Sequence, residues 1–174
     1  VEDDMGKPLG LGTESAGAAV SAVKKIAGNV PVLAKLTPNI ANIAEVARAC
    51  EEAGADGIVA INAAGPGMLI DIIRKRPILG AKRGAVSGPA IRPIAVRCVY
   101  DIYETVKIPI IGMGGVTTWQ DVVEMMMAGA ALVGVGSATY FKGYGVYEEM
   151  KKGLQEYMDK EGIKNLQELV GVAH

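Results

Sequence analysis

IPIIG, Ile108–Gly112, is an apolar run that leads into the glycines of Met113-Gly114-Gly115, and ALVGVG, Ala131–Gly136, follows the same plan further along the chain. Each is short, rich in Ile, Val or Leu, and apolar at alternating positions on both sides. A strand of a parallel sheet whose faces are both covered reads this way. Toward the N-terminus, Gly57–Asn62 (GIVAIN) and Val30–Leu36 (VPVLAKL) match the pattern. Helical spacing fills the intervals: Ile43, Val46, Ala47 and Cys50, then Ile94, Cys98, Val99, Ile102 and Val106. Thr118 reads as an N-cap with Asp121 three residues on, ahead of Val122, Val123, Met126 and Met127. Two of these helices end in Ala-Gly-Ala, at 53–55 and 128–130, where glycine can take the left-handed C′ conformation.

Strand–helix alternation predicts a parallel α/β fold. Roughly 26 residues separate Val32 from Ile58 and roughly 24 separate Ile108 from Leu132, close to the ~30 per unit of a (β/α)8 barrel. The gap from Ile58 to Ile108 is longer, and it holds an insertion over Ala63–Ile91. A whole barrel needs about 250 residues. With 174 residues and four strands, the chain reads as half of a (β/α)8 TIM barrel, about four βα units. A doubly wound sheet of four or five strands is the rival. Residues 1–14 read as a loop, and 145–174 as an amphipathic helix followed by a short one at Asn165–Val170.

Composition excludes several classes of function. Eighteen basic against nineteen acidic residues leave a net charge of −1, with no basic surplus to drive nucleic-acid binding. His174 is the single histidine, which leaves no histidine triad or histidine–zinc site. Cys50 and Cys98 are too few and too far apart for a metal cluster or a disulfide scaffold, and both fall on helical core faces. Met125-Met126-Met127 reads as core filler and Trp119 as a partly exposed packing residue. No apolar stretch reaches the ~20 residues of a membrane span and no signal peptide opens the chain, so a cytoplasmic setting is expected. The chain opens at Val1, which suggests that something upstream has been removed. Glycine stands out: 23 residues, about 13%, against a usual ~7%.

Ligands of parallel α/β folds bind at the carboxyl ends of strands. There Gly114-Gly115 and Gly136-Ser137 form two strand-to-helix turns able to offer bare backbone N–H groups to a phosphate. The alternative is that these glycines only make tight turns. Lys35 lies inside the apolar run VLAKL, so if Val32 and Ala34 face the helices, Leu33 and Lys35 point inward. Either the ammonium meets an electron-rich ligand, or it snorkels to solvent from the strand end. Asn62 closes its strand as a ligand or as a turn residue. Ser87-Gly88-Pro89 brings a glycine where backbone could approach a flat ligand.

LAKLTPN (Leu33–Asn39), EEAGADGIVAIN (Glu51–Asn62), SGPAIRPIAVR (Ser87–Arg97), IPIIGMGGV (Ile108–Val116) and MAGAALVGVGSAT (Met127–Thr139) together resemble the C-terminal half of class 1 dihydroorotate dehydrogenases. The wording of GMGGV and SGPAIRP is most like the subclass 1B catalytic subunit. The resemblance implies an FMN-containing (β/α)8 barrel that oxidises dihydroorotate to orotate in pyrimidine biosynthesis. A base removes the C5 proton and hydride passes from C6 to the flavin. By the same resemblance Lys35 touches the flavin near N1 and O2, Ile61 packs near the ring, and Gly88 lies in the loop beside it. Gly114, Gly115, Gly136 and Ser137 hold the phosphate, Asn62 binds the pyrimidine, and Ala63 takes the next substrate-contacting position. The domain division it implies is one partial FMN-binding unit over 1–174, with the flavin- and phosphate-binding core at 30–140.

Ala63 stands where family members commonly carry Thr or Ser, and Ser137 where they often carry Thr. The stretch Ala63–Met68 is one residue longer than usual. The general-base cysteine belongs to an Asn-x-x-Cys-Pro segment expected just before Val1, so no catalytic base is assigned within the chain, and the chain alone is expected to be inactive. The implied partners are the N-terminal half of the barrel, an electron-transfer subunit bearing FAD and an iron–sulfur cluster, and further copies of the chain in a homo-oligomer. Open sheet edges and an apolar interior give the same expectation of pairing. Two alternatives remain at this point: another FMN or sugar-phosphate barrel enzyme, or an inactive half-barrel module.

Overall fold

Four of the strands anticipated above form in the computed structural model, which describes residues 12–174, but all four are shorter than their apolar runs. They are β1 (Leu33–Leu36), β2 (Gly57–Ala60), β7 (Ile110–Met113) and β8 (Leu132–Gly134). The trimming at two entrances has a physical cause. Pro31 has no N–H to donate, and the Val32 N–H donates to the Asp56 carboxylate at 2.6 Å instead of to a neighbouring strand. At the start of β7, the N–H groups of Lys107 and Ile108 donate to Glu51 Oε1 at 2.7 and 3.1 Å. Pro109 lacks an N–H, while its carbonyl accepts from Ile58 at 2.9 Å. β2 stops at Ala60, two residues before Asn62.

The strands lie in the order β1-β2-β7-β8, all parallel. Successive strands are always neighbours and the order never reverses. A doubly wound sheet requires a reversal, so that alternative is set aside. The connections, all running one way along the sheet, place α2 (Ile43–Glu52), α3 (Arg92–Tyr103) and α4 (Trp119–Met127) on one face. α1 (Thr13–Ala27) flanks α2 and α6 (Gly145–Glu161) flanks α4, with α5 (Ser137–Lys142) between β8 and α6. The helix-facing residues Ala34, Leu36, Ile58, Ala60 and Ile110 are buried with Ile43, Cys50, Cys98, Val99, Ile102 and Met125. The opposite face carries the paired row Lys35, Val59, Ile111 and Leu132. Among the described residues it has no covering layer: Leu33 and Leu132 are 47% and 64% exposed.

Residues 1–11 of the loop expected at 1–14 lie outside the described residues, whereas Thr13 and Glu14 begin α1. This helix was not anticipated. Its N-cap is Gly12, with no side-chain cap, and it buries only Ala16 and Val20, so neither a start signal nor a full apolar stripe marks it. Its alanines supply helix propensity. The insertion is ordered as two antiparallel ladders: β3 (Ala64–Gly67) pairs with β6 (Gly84–Val86), and β4 (Ile70–Asp71) with β5 (Arg76–Pro77). A 3₁₀ turn at Pro89–Ile91 leads into α3.

The capping box at Thr118 and Asp121 forms as the spacing indicates, and Gly54 and Gly129 take positive φ after their helices. Trp119 packs against Tyr157, with Gly153 beneath the indole where a β-carbon would collide. Met125 and Met126 belong to the core. Asn165 caps a 3₁₀ turn at Leu166–Leu169. Among the described residues no helix is long and apolar enough to cross a membrane.

Candidate functional site

At the carboxyl ends of the four parallel strands lies a cleft of about 180 Å³. All nine residues singled out from the sequence line it: Lys35, Ile61, Asn62, Ala63, Gly88, Gly114, Gly115, Gly136 and Ser137. Ser87, Ile91 and Met113 complete the wall.

Two backbone bonds hold the end of β2 at the mouth of the cleft. The Ile61 N–H donates to the Met113 carbonyl and the Asn62 N–H to the Leu36 carbonyl, both at 2.7 Å. Ile61 is thereby buried while Asn62 stays exposed at the rim. The insertion is tethered beside it, since the Gly65 N–H donates to Asn39 Oδ1 at 3.0 Å.

The glycine turns are shaped by their neighbours. Gly114 and Gly115 have φ of 131° and 77°, in the region that favours glycine. A β-carbon on Gly115 would lie 2.8 Å from the Gly88 carbonyl oxygen and from the Arg92 backbone nitrogen. Gly88, at φ 94°, faces Ser137, whose Oγ would be 3.8 Å from a β-carbon there. Gly136 opens on empty space, with nothing within 4 Å of the corresponding point. Among the described residues, the N–H groups of Gly114, Gly115 and Gly136 donate to no protein acceptor. The first-turn N–H of Ser137 has no partner within its own helix.

Among the described residues, Lys35 is the one charged side chain lining the cleft. The alternation expected for β1 holds, because Ala34 and Leu36 are buried against the helices while Leu33 and Lys35 point the other way. Lys35 is exposed, since its face of the sheet lacks a covering layer, and it makes no hydrogen bond or ion pair among the described residues. One ammonium and several unengaged N–H donors form a cleft suited to an anionic ligand with an electron-rich part.

Neither cysteine reaches this cleft. Burial pushes both thiols up, although Arg97 partly offsets the effect at Cys98. That chemistry opposes thiolate formation.

The family model for dihydroorotate dehydrogenase matches residues 6–158. The chain belongs to the dihydroorotate dehydrogenase family. Among curated dihydroorotate dehydrogenases, the protein of Methanothermobacter thermautotrophicus named "Dihydroorotate dehydrogenase B (NAD(+)), catalytic subunit" is 49% identical over 169 residues. That match covers 97% of this chain and 55% of the relative. Proteins of the same name from Pyrococcus abyssi and Methanosarcina mazei are 45% and 47% identical. They cover 97% and 90% of this chain and 56% and 49% of their own lengths. The chain thus spans about half the length of these dihydroorotate dehydrogenases. Family membership does not favour a sugar-phosphate barrel or an inactive module.

Sequence reasoning overlooked the link behind the cleft between Arg92 and Asp121. Its only visible sign was the Thr118–Asp121 cap, which indicates a helix start and says nothing of a partner on another helix.

Proposed function

We propose that this chain is the flavin-holding half of a dihydroorotate dehydrogenase catalytic subunit, a TIM-barrel enzyme that oxidises dihydroorotate to orotate in pyrimidine biosynthesis. The observation that carries the reading is the convergence, at the ends of separate strands, of one cation with two glycine turns whose N–H groups are unengaged. Such a cleft fits FMN, a flat redox ring with an anionic tail. When bound, FMN supplies the two-electron acceptor for the oxidation.

In this reading the N–H groups of Gly114, Gly115, Gly136 and Ser137 bind the phosphate. Gly88 lets the backbone approach the ring, and Ile61 packs against it. The Lys35 ammonium stabilises negative charge that gathers on the ring's N1 side. Asn62 donates to and accepts from the pyrimidine, with Ala63 beside it. The bare sheet face supports a half-barrel whose other βα units, carrying the general base, lie on a further stretch of polypeptide. The relatives' designation as catalytic subunits of an NAD(+) enzyme supports a partner subunit, proposed to carry FAD and an iron–sulfur cluster. A homo-oligomer and a cytoplasmic setting complete the proposal.

Titrating the complete catalytic subunit, with its further βα units present, against FMN and following quenching of flavin fluorescence tests the reading directly. Binding is expected, and a subunit that leaves FMN free overturns it. In the bound state, Lys35→Ala is expected to lower the flavin midpoint potential by about 30 mV, a tenfold change for a two-electron couple, with affinity changed by less than about threefold. An unchanged potential removes Lys35 from its role.

A further inference from the structure

Behind the cleft, Arg92 and Asp121 form an ion pair that the proposed cofactor contacts leave unused. Asp121 is the one buried charged residue among the described residues, at 4% exposure. Its Oδ2 accepts from the Thr117 N–H at 2.8 Å, the Thr117 hydroxyl at 2.9 Å and the Thr118 N–H at 3.0 Å. Its Oδ1 accepts from Arg92 Nη1. Arg92 Nε lies 3.0 Å from Glu124 Oε2, yet it is buried without an aligned acceptor.

The helix cap needs only the bonds to Thr117 and Thr118. Arg92 comes from a different element, the first turn of α3, directly after Gly88 and the Pro89–Ile91 turn. Thr117 follows Gly114-Gly115 two residues on. The pair therefore joins the two segments that reach the cleft from different parts of the sheet, and these segments meet at Gly115. An ion pair with one buried partner adds little net stability once desolvation is counted, but it fixes the relative placement of what it joins.

We propose that Arg92 and Asp121 are a positioning pair that sets the spacing between the Gly88 loop and the Gly114-Gly115 turn, so that the turn's N–H groups converge on the cofactor phosphate. This rests on the FMN reading above. It implies an effect confined to the phosphate end of the ligand. The acidity of Asp121 is consistent with that arrangement. Burial pushes its carboxyl up, but the bonds from Thr117, the Arg92 charge and the Thr118 N–H outweigh burial and hold it below the ordinary aspartate value.

The test compares FMN with riboflavin, which lacks the phosphate, as fluorescence-titration ligands of the complete catalytic subunit and its variants at Arg92 and Asp121. The wild-type subunit is expected to prefer FMN. Asp121→Asn and Arg92→Met are each expected to cut that preference about tenfold by weakening FMN, with riboflavin affinity held within about twofold. The double variant should lose no more than either single one, and Arg92→Lys should restore part of the preference. Should Asp121→Asn fail to fold, the Arg92 variants at their partly exposed site decide the matter. A preference unchanged in the variants, or parallel loss of both ligands, overturns the positioning role alone. A wild-type subunit that binds the two ligands equally, or binds neither, overturns the phosphate reading and the pair's role with it.

Discussion

A β-carbon placed on Gly115 would press on the Gly88 carbonyl and the Arg92 nitrogen, and its φ of 77° suits no other residue well. Gly136, in the matching turn, has φ −113° and open space where a β-carbon would go. The two glycines are glycine for different reasons, and alanine separates them. Gly115→Ala is expected to cost about 2–4 kcal/mol of folding stability, from backbone strain and overpacking, read as a shift in urea midpoint. Gly136→Ala should change stability by less than about 0.5 kcal/mol, yet lower FMN affinity at least about tenfold by intruding on the phosphate position. Equal stability losses would refute the distinction. That both positions end strands is plain from GMGG and GVGS. Which one is packed and which is open is not, because the atoms that decide it, on Gly88 and Arg92, are distant in sequence.

At the scale of the element, carboxylates define where helices and strands begin. Asp121 opens α4 through its capping box, while Asp56 and Glu51 intercept the N–H groups at the entrances to β1 and β7. The lowered pKa of Asp121 carries a signed consequence. An unfolded aspartate titrates near about 3.9, above the folded value, so between the two the unfolded chain binds more protons. The stabilisation from Asp121 is therefore complete above about pH 4 and is lost as pH falls through its folded value. Urea midpoints measured from pH 2 to 7 should fall at the acid end, and the fall should be shallower in Asp121→Asn. A residual slope is expected from Asp56, held low first by its hydrogen bond from Lys24, and from Asp71, held low first by the Arg74 N–H. An acid limb identical in wild type and variant would contradict the assignment. The capping box was legible because its partners are three residues apart. The strand-capping carboxylates were not, since their targets lie on other elements.

For the whole molecule, the decisive fact is a sheet wound in one direction with helices on one side. The other side presents Leu33, Val59, Ile111 and Leu132, and the outer edges of β1 and β8 are unpaired among the described residues. Exposed apolar area of this kind favours association. The isolated chain is expected to sediment above its monomer mass and to bind a hydrophobic dye. Leu132→Lys should reduce both while changing stability by less than about 0.5 kcal/mol, because Leu132 is already 64% exposed. A monomer that ignores the dye would show that this face needs no cover.

The order of the four parallel strands and of the helices between them was legible in the sequence because apolar runs, glycine turns and caps are local patterns, and the family resemblance named nine of the twelve residues that line the cleft. The presence of α1, the paired strands of the insertion, the exposure of Lys35 and the union of Arg92 with Asp121 were decided only by the tertiary structure. Each depends on which remote groups share a face or a hydrogen bond, and no local spacing encodes that.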